Sequence, residues 1–235
     1  MPFTRSLGTY LAFSHWLPSQ CAVCRTWPSP RICAACLARF APTAARCVRC
    51  AARVPDGVRQ CGQCLREHGG LDHCIAAVDY GWPWAGLVAR LKFHAEPGLA
   101  ATLAPVMRGA NGAGEALHAC DALVPVPLAP QRLRQRGYNQ SLLLARRICP
   151  GKLRPQWLER PHETEAQSHL GRHERLRNLL GAFAAPAAAH DELRGKHVLL
   201  VDDVMTTGAT LHAAAHTLRA AGAGRVGALV FARTP

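Results

Sequence analysis

The chain has 235 residues, 49% of them hydrophobic, which allows a packed core and argues against a globally disordered polymer. No apolar run approaches the ~18 residues that a membrane-crossing helix needs, so no membrane insertion is expected. The net charge of +13 is concentrated: residues 1–75 carry nine Lys/Arg against three Asp/Glu, residues 131–177 carry eleven against four, and the remainder balances. Two basic blocks of this kind suit a polyanionic ligand, phosphate or nucleic acid.

Leu7 to Phe13 is mildly apolar, but Arg5 is the only positive charge before it and no small-residue cleavage site follows. The expectation is a chain without a signal peptide, hence cytoplasmic. Next come four C-x-x-C pairs, Cys21/Cys24, Cys33/Cys36, Cys47/Cys50 and Cys61/Cys64, separated by 8, 10 and 10 residues. Two residues between cysteines let both thiolates of one tight turn face one ion, and two such turns complete a tetrahedral zinc site. A disulfide framework would need an oxidising compartment, and a redox C-x-x-C would be single. Structural zinc, one or two ions, is therefore expected. Sequential pairing (21/24/33/36 and 47/50/61/64) is the simpler arrangement, and interleaved pairing stays open. Pro28, Pro30, Pro42, Pro55, Gly57 and Gly62 punctuate this stretch as loops. So little apolar material makes metal the expected organiser of a small module over residues 1–72, with a second domain over 73–235. The isolated Cys74, Cys120 and Cys149 sit among apolar residues and read as buried structural thiols.

In the second domain, Cys74 to Tyr80 reads as a strand. Trp84 to Phe93 follows with helical spacing, its Leu87, Val88 and Leu91 on one face, and Leu99 to Met107 reads as another helix. Leu123 to Pro127 is extended, because each proline biases its predecessor toward β. Arg132, Arg134 and Arg136 then alternate along what reads as an arginine-rich loop, closed by Gly137-Tyr138-Asn139-Gln140, and a helix runs from Ser141 to Ile148. Such a loop suits a diphosphate.

The most informative stretch runs from His197 to Thr210. Val198 to Val201 is a short apolar run, as in a strand buried on both faces of a parallel sheet. Asp202 and Asp203 follow at its carboxyl end, then the small-residue turn Thr206-Thr207-Gly208-Ala209-Thr210, then an alanine-rich helix from Leu211 to Ala221. Ligands of open α/β sheets bind outside the carboxyl ends of strands. Backbone N–H groups at the helix start favour an anion. Gly208 permits close approach, and the threonine hydroxyls add donors. Two acids beside such a cradle would repel a bare anion. They suit a ligand that also carries sugar hydroxyls.

This stretch closely resembles the signature of type I phosphoribosyltransferases, which bind phosphoribosyl diphosphate (PRPP). The resemblance implies that Asp202 and Asp203 hold the ribose hydroxyls and that Thr206, Thr207, Gly208, Ala209 and Thr210 hold the 5-phosphate. The Val-Pro-Val-Pro element and the Arg132–Gln140 stretch resemble the ComF family, as do Leu91-Lys92-Phe93 and the series Arg160, Thr164, Gln167, Leu170, Arg175, Asn178, Phe183. That family comprises phosphoribosyltransferase-like proteins tied to DNA uptake in naturally competent bacteria, with gluconate-associated relatives. The cysteine pairs match its N-terminal zinc ribbon. The likeness implies an α/β fold, a type I phosphoribosyltransferase-like open parallel sheet with helices on both faces, plus a small zinc-ribbon module. It implies PRPP, or a related phosphorylated sugar or nucleotide, bound with Mg²⁺ near Lys92, Arg132, Arg134 and Arg136. It also implies a mobile hood that includes Thr164, Gln167, Arg175 and Asn178. Catalytic roles fall on Asp202, Asp203, Lys92 and Arg136, and the acceptor is unspecified. The alternative expectation is a non-catalytic module binding PRPP, nucleotide or single-stranded DNA, or serving competence-machinery proteins.

Overall fold

The computed structural model describes residues 19–66, 70–161 and 181–235. Arg5 and Leu7 to Phe13, on which the expectation of no signal peptide rests, and the hood residues Thr164, Gln167, Arg175 and Asn178 lie outside the described residues. By its contacts the chain forms two compact units, Met1–Pro42 and Thr43–Pro235. The first pair of C-x-x-C motifs falls in one unit and the second pair in the other.

Within the first unit the described regular element is helix α1 (Ala34–Phe40), which starts directly after Cys33. In the second, α2 (Gly62–Arg66) starts directly after Cys61. Then follow β1 (His73–Asp79), α3 (Trp84–Phe93), α4 (Ala100–Arg108), α5 (Ala113–Ala119), β2 (Ala122–Pro125), α6 (Pro130–Arg136), α7 (Gln140–Ile148), α8 (Ala187–Leu193), β3 (His197–Met205), α9 (Ala209–Ala220) and β4 (Arg225–Arg233). The four strands form one parallel sheet in the order β1-β4-β3-β2. Edge strand β1 alternates buried and half-buried positions, whereas central β3 is buried along nearly its whole length. That is the pattern of a sheet covered on both faces.

One face carries Cys74, Ala76, Val124, Val198, Leu200, Ala228 and Val230. It packs with Ala189 and Leu193 of α8, with Leu211, Ala214 and Leu218 of α9, and with Cys47, Cys50 and Ala51. On the opposite face the Phe231 ring meets Trp84 of α3 edge-on at 5.6 Å. Trp84, Leu87 and Leu91 of α3, Leu103 and Met107 of α4, and Leu144 of α7 are fully or almost fully buried.

The arginine-rich segment is not a loop. Pro130 occupies the first turn of α6, where its missing N–H is harmless, and Gly137 ends the helix with φ +80°. Alternating arginines share a side only in an extended chain. In a helix Arg132 and Arg136 share one side and Arg134 lies away from them. The strand before the acid pair also runs longer than Val198–Val201. Pairing with β4 continues to Met205↔Arg233, while pairing with β2 stops at Val201↔Pro125. Val126 N–H still donates to Val201 O at 3.0 Å, and Pro127 then has no N–H to offer. β3 thus overshoots β2 by four residues and carries Asp202 and Asp203 past the edge.

Among the described residues no helix is long and apolar enough to cross a membrane. Because Trp84 seals α3 onto β4, Trp84→Ala should cost about 3–5 kcal/mol. Urea denaturation checks this, with a loss below about 1 kcal/mol counting against the packing described.

Candidate sugar-phosphate site and cysteine clusters

The acid pair is enclosed by side chains from two helices. Lys92, in the last turn of α3, places Nζ 3.0 Å from Asp203 Oδ1; the two side chains are 22% and 3% exposed. Asp203 Oδ1 also accepts from Val204 N–H at 2.8 Å. Asp203 Oδ2 is buried and has no hydrogen-bond partner. Asp202 Oδ1 accepts from Ser141 Oγ at 2.7 Å and from Asp203 N–H at 2.9 Å. Burial, then repulsion from Asp203, push the Asp202 carboxyl up to about 7, against the pull of Lys92 and Ser141.

Ser141 is presented by a capped helix start. Asn139 Oδ1 accepts from Ser141 N–H at 2.9 Å and from Leu142 N–H at 3.3 Å, while Asn139 Nδ2 donates to Val126 O at 3.0 Å. Asn139 thereby ties the end of β2 to the start of α7. Tyr138 OH donates to Leu91 O, next to Lys92. Arg136 donates to Gln140 Oε1, and its guanidinium lies 5.4 Å from the centre of the Phe93 ring. Arg132 and Arg134 are exposed on α6. The structure therefore pairs Lys92 with Asp203, next to Asp202 in the strand, and sets Arg136 over Phe93, the residue after Lys92. Ser141, Asn139 and Tyr138 were not assigned by sequence reasoning. An Asn directly before an amphipathic run is a helix-start signal that could have found Asn139, whereas Ser141 meets its partner only in three dimensions.

Beyond Met205 the chain turns through Thr206 and Thr207, both exposed, into α9. Gly208 precedes the helix with φ +80°, and a Cβ there would collide with Met205 Cε and lie 3.3 Å from the His212 ring. Only glycine fits. Ala209 N–H approaches Thr207 Oγ1 at 3.4 Å. The first-turn amides of α9 have no acceptor within the helix, and in the chain they follow the acid pair directly after the Thr206–Gly208 turn.

The eight paired cysteines form two groups, Cys21/Cys24/Cys33/Cys36 and Cys47/Cys50/Cys61/Cys64, with all ligand atoms of a group within 4.8 Å of one another. Pairing is sequential. The closest sulfurs stand 3.8 Å apart for Cys21–Cys36, 3.6 Å for Cys24–Cys33 and 3.7 Å for Cys50–Cys61. A disulfide would need about 2.05 Å. A tetrahedral ion with Zn–S near 2.3 Å sets neighbouring sulfurs roughly 3.8 Å apart. The donor sets fit structural zinc.

The two groups are built alike. Cys21 N–H donates to Thr26 O at 3.0 Å and Arg25 N–H to Cys21 O at 3.0 Å; Cys47 N–H donates to Ala52 O and Ala51 N–H to Cys47 O, both at 2.8 Å. The residue after each first pair, Arg25 or Ala51, has positive φ. The second C-x-x-C of each group opens a short helix. Each group holds thiols shifted toward ionisation, Cys21 and Cys24 in the first and Cys47 in the second. Burial opposes this, but backbone N–H donors outweigh it, bringing Cys21 down to about 6 and Cys47 to about 7. The second group is bolted to the sheet. Cys74 N–H of β1 donates to Val48 O at 2.8 Å, Arg233 Nε of β4 donates to Cys50 O at 2.9 Å, and Arg46 and Arg53 both pair with Asp79 at the end of β1. Cys74 and Cys120 are buried and Cys149 half-buried.

Residues 162–235 match the phosphoribosyl transferase domain. The chain is 32% identical over 176 residues to competence protein F of Haemophilus influenzae, covering 70% of this chain and 74% of that protein. It is also 32% identical over 234 residues to DNA utilization protein YhgH of Salmonella typhimurium, covering 95% and 93%. Competence protein ComFC of Bacillus subtilis is 35% identical over 103 residues, 41% of this chain and 37% of that protein. The chain belongs to the ComF family. Its phosphoribosyltransferase-type domain carries the acid pair and the turn into α9.

Elemental analysis of reductively purified protein should give close to two zinc ions per chain, and clear absence of metal would overturn the reading of the clusters. Asp202 predicts a pH signature. Its folded-state pKa is raised, so its favourable contribution is complete below about 4 and is lost as pH rises toward about 7. Asp202→Asn keeps an oxygen acceptor and escapes that loss. Relative to the parent, its thermal midpoint should gain about 4 °C more at pH 8 than at pH 5.5. Equal differences at both pH values would show that Asp202 is not the perturbed group.

Proposed function

We propose that the carboxyl edge of β3 binds PRPP as its Mg²⁺ complex and transfers the phosphoribosyl group to an acceptor. The observation that carries this reading is Asp203 Oδ2, a buried carboxylate oxygen without a donor, one turn of chain before a helix start shaped around Gly208. A buried unsatisfied acceptor costs about 1–3 kcal/mol, and a ribose hydroxyl would supply the donor. Asp202 would take the second hydroxyl, and Thr206, Thr207, Gly208, Ala209 and Thr210 the 5-phosphate. The substrate's Mg²⁺ would offset charge developing on the diphosphate. Arg136 would add to this from α6, with Arg132 and Arg134 contributing positive potential. Lys92 holds Asp203 in place and is close enough to the pair to face the diphosphate as well. In the transfer, a lone pair of the acceptor forms the new bond to ribose C1. The C1–O bond to diphosphate breaks, diphosphate leaves with the electron pair, and the acceptor's proton passes to solvent.

A second reading has a specific observation in its favour. Trp82 and Phe93 are 74% and 72% exposed, and Arg136 lies over the Phe93 ring. Exposed aromatics with arginines suit stacked bases of single-stranded DNA, and the relatives' names concern competence and DNA utilization. On this reading PRPP or a nucleotide is bound without turnover.

Calorimetry should detect PRPP binding in the presence of Mg²⁺, and Asp202→Ala combined with Asp203→Ala should abolish it. Undiminished binding in the double variant would overturn the site assignment. A screen of bases and small amines for PRPP-dependent diphosphate release separates the two readings. Release with any acceptor supports transfer. Its absence, together with single-strand binding whose affinity falls steeply with salt, supports the second.

A further inference from the structure

The second cysteine group reaches the turn before α9 by two routes that meet at Met205. On the first, Val48, inside the Cys47–Cys50 knuckle, accepts from Cys74 N–H at 2.8 Å, and the Cys74 thiol lies 3.5 Å from Met205 Sδ. On the second, Arg233 donates from Nε to Cys50 O at 2.9 Å and from a terminal nitrogen to Met205 O at 3.4 Å. Thr234 N–H also donates to Met205 O, at 3.1 Å. Met205 is the last residue of β3, so its carbonyl fixes where Thr206 starts. Its methyl group occupies the space that a Cβ on Gly208 would need. The residue is buried, and with Cys47, Cys50, Cys74 and Leu211 it belongs to one core. Between the knuckle and the phosphate turn there is one backbone bond, one arginine and one wedged side chain.

We infer that Met205 and Arg233 are positioning residues through which the ion in the Cys47/Cys50/Cys61/Cys64 group sets the shape of the Thr206–Thr210 turn. Metal occupancy at that group and ligand binding at the turn are then linked. A four-thiolate ion holds the Val48 and Cys50 carbonyls at fixed positions. Without it the knuckle keeps its packing on the sheet and the Arg46 and Arg53 pairs with Asp79, but nothing ties its two cysteines to Cys61 and Cys64, and the anchor on Met205 slackens. Linkage is reciprocal, so a ligand that orders the turn also retains the ion.

The inference rests on the PRPP reading for its ligand, and the test separates the two. Amide hydrogen exchange is measured across residues 206–212 and, as an internal reference, across α4 on the other face of the sheet. Cys61→Ser in the full chain weakens the metal group, and Arg233→Gln leaves all four thiols in place while cutting the second route. In both variants exchange at 206–212 should rise at least five-fold with α4 still protected. Zinc transfer to a chelator should show a phase that Cys61→Ser removes. Saturating PRPP with Mg²⁺ should slow that phase at least five-fold in the parent and leave it unaltered in Arg233→Gln. If Cys61→Ser does not fold, Arg233→Gln and the zinc-transfer arm decide alone. Unchanged exchange at 206–212 in Arg233→Gln, or an equal effect of PRPP on zinc transfer in that variant and the parent, overturns the linkage. Faster exchange at 206–212 in a protein whose parent form binds no PRPP upholds the linkage and overturns the functional reading.

Discussion

Two neighbouring carboxylates are buried at the point where β3 outruns β2, and much of the second unit is arranged around that fact. Prolines at 125 and 127 end the pairing on one side of β3, while β4 continues on the other. Asp202 and Asp203 therefore sit on a regular strand with one flank stripped of its neighbour. Two adjacent carboxylates in a low-dielectric setting cannot both stay ionised without help. Lys92 neutralises one. The other accepts from Ser141 and is pushed toward neutrality. These partners come from α3 and α7, so both helices must dock in fixed registers. Trp84 holds the start of α3 and Asn139 the start of α7. The remaining oxygen of Asp203 stays unsatisfied. One oxygen of each carboxylate is thus well supplied with donors, while a buried oxygen of Asp203 is left bare, which is the arrangement expected where a ligand is to bring the donor.

The cysteine groups answer a different constraint. Each is a short loop pair with little apolar surface of its own, and its four clustered sulfurs offer a metal the place from which to fix it. The second group has become part of the sheet's cover. Cys47, Cys50 and Ala51 occupy the same core as Cys74 and Met205. Arg46 and Arg53 clamp Asp79, whose carboxyl stays below its usual range because these guanidiniums outweigh its burial. Knuckle and strand are thereby joined by charge as well as by packing.

Local pattern was enough for much of this. Strand, acid pair, small turn and helix occur in an order that physics reads directly, and Cys-x-x-Cys spacing points to tetrahedral thiolate ligation. Spacing left the pairing of motifs open, because either arrangement satisfies the local geometry, and sulfur–sulfur distances were needed to decide. The arginines of α6 misled for a local reason. Alternation suggests an extended chain, but Pro130 and Gly137 bound a seven-residue helix whose ends outweigh that pattern. The length of β3 was hidden because its last residues are held by β4 alone. Ser141 with Asp202, Lys92 with Asp203, and Arg233 with Cys50 join segments far apart in the chain. No periodicity encodes such pairs.

The same contrast explains why the turn at Gly208 is more than a loop. A flexible phosphate cradle would have to lose conformational freedom on binding, at about 1–2 kcal/mol per ordered residue. Here Met205 sits beneath the glycine with its carbonyl held by Thr234 and Arg233, so part of that cost is met in folding. Pre-ordering of this kind favours the bound geometry only as long as its supports hold. Two of those supports begin in a cysteine knuckle. On the linkage inferred above, a turn that leans on a metal-fixed loop would make the strength of its grip on a ligand depend on the state of its thiolates.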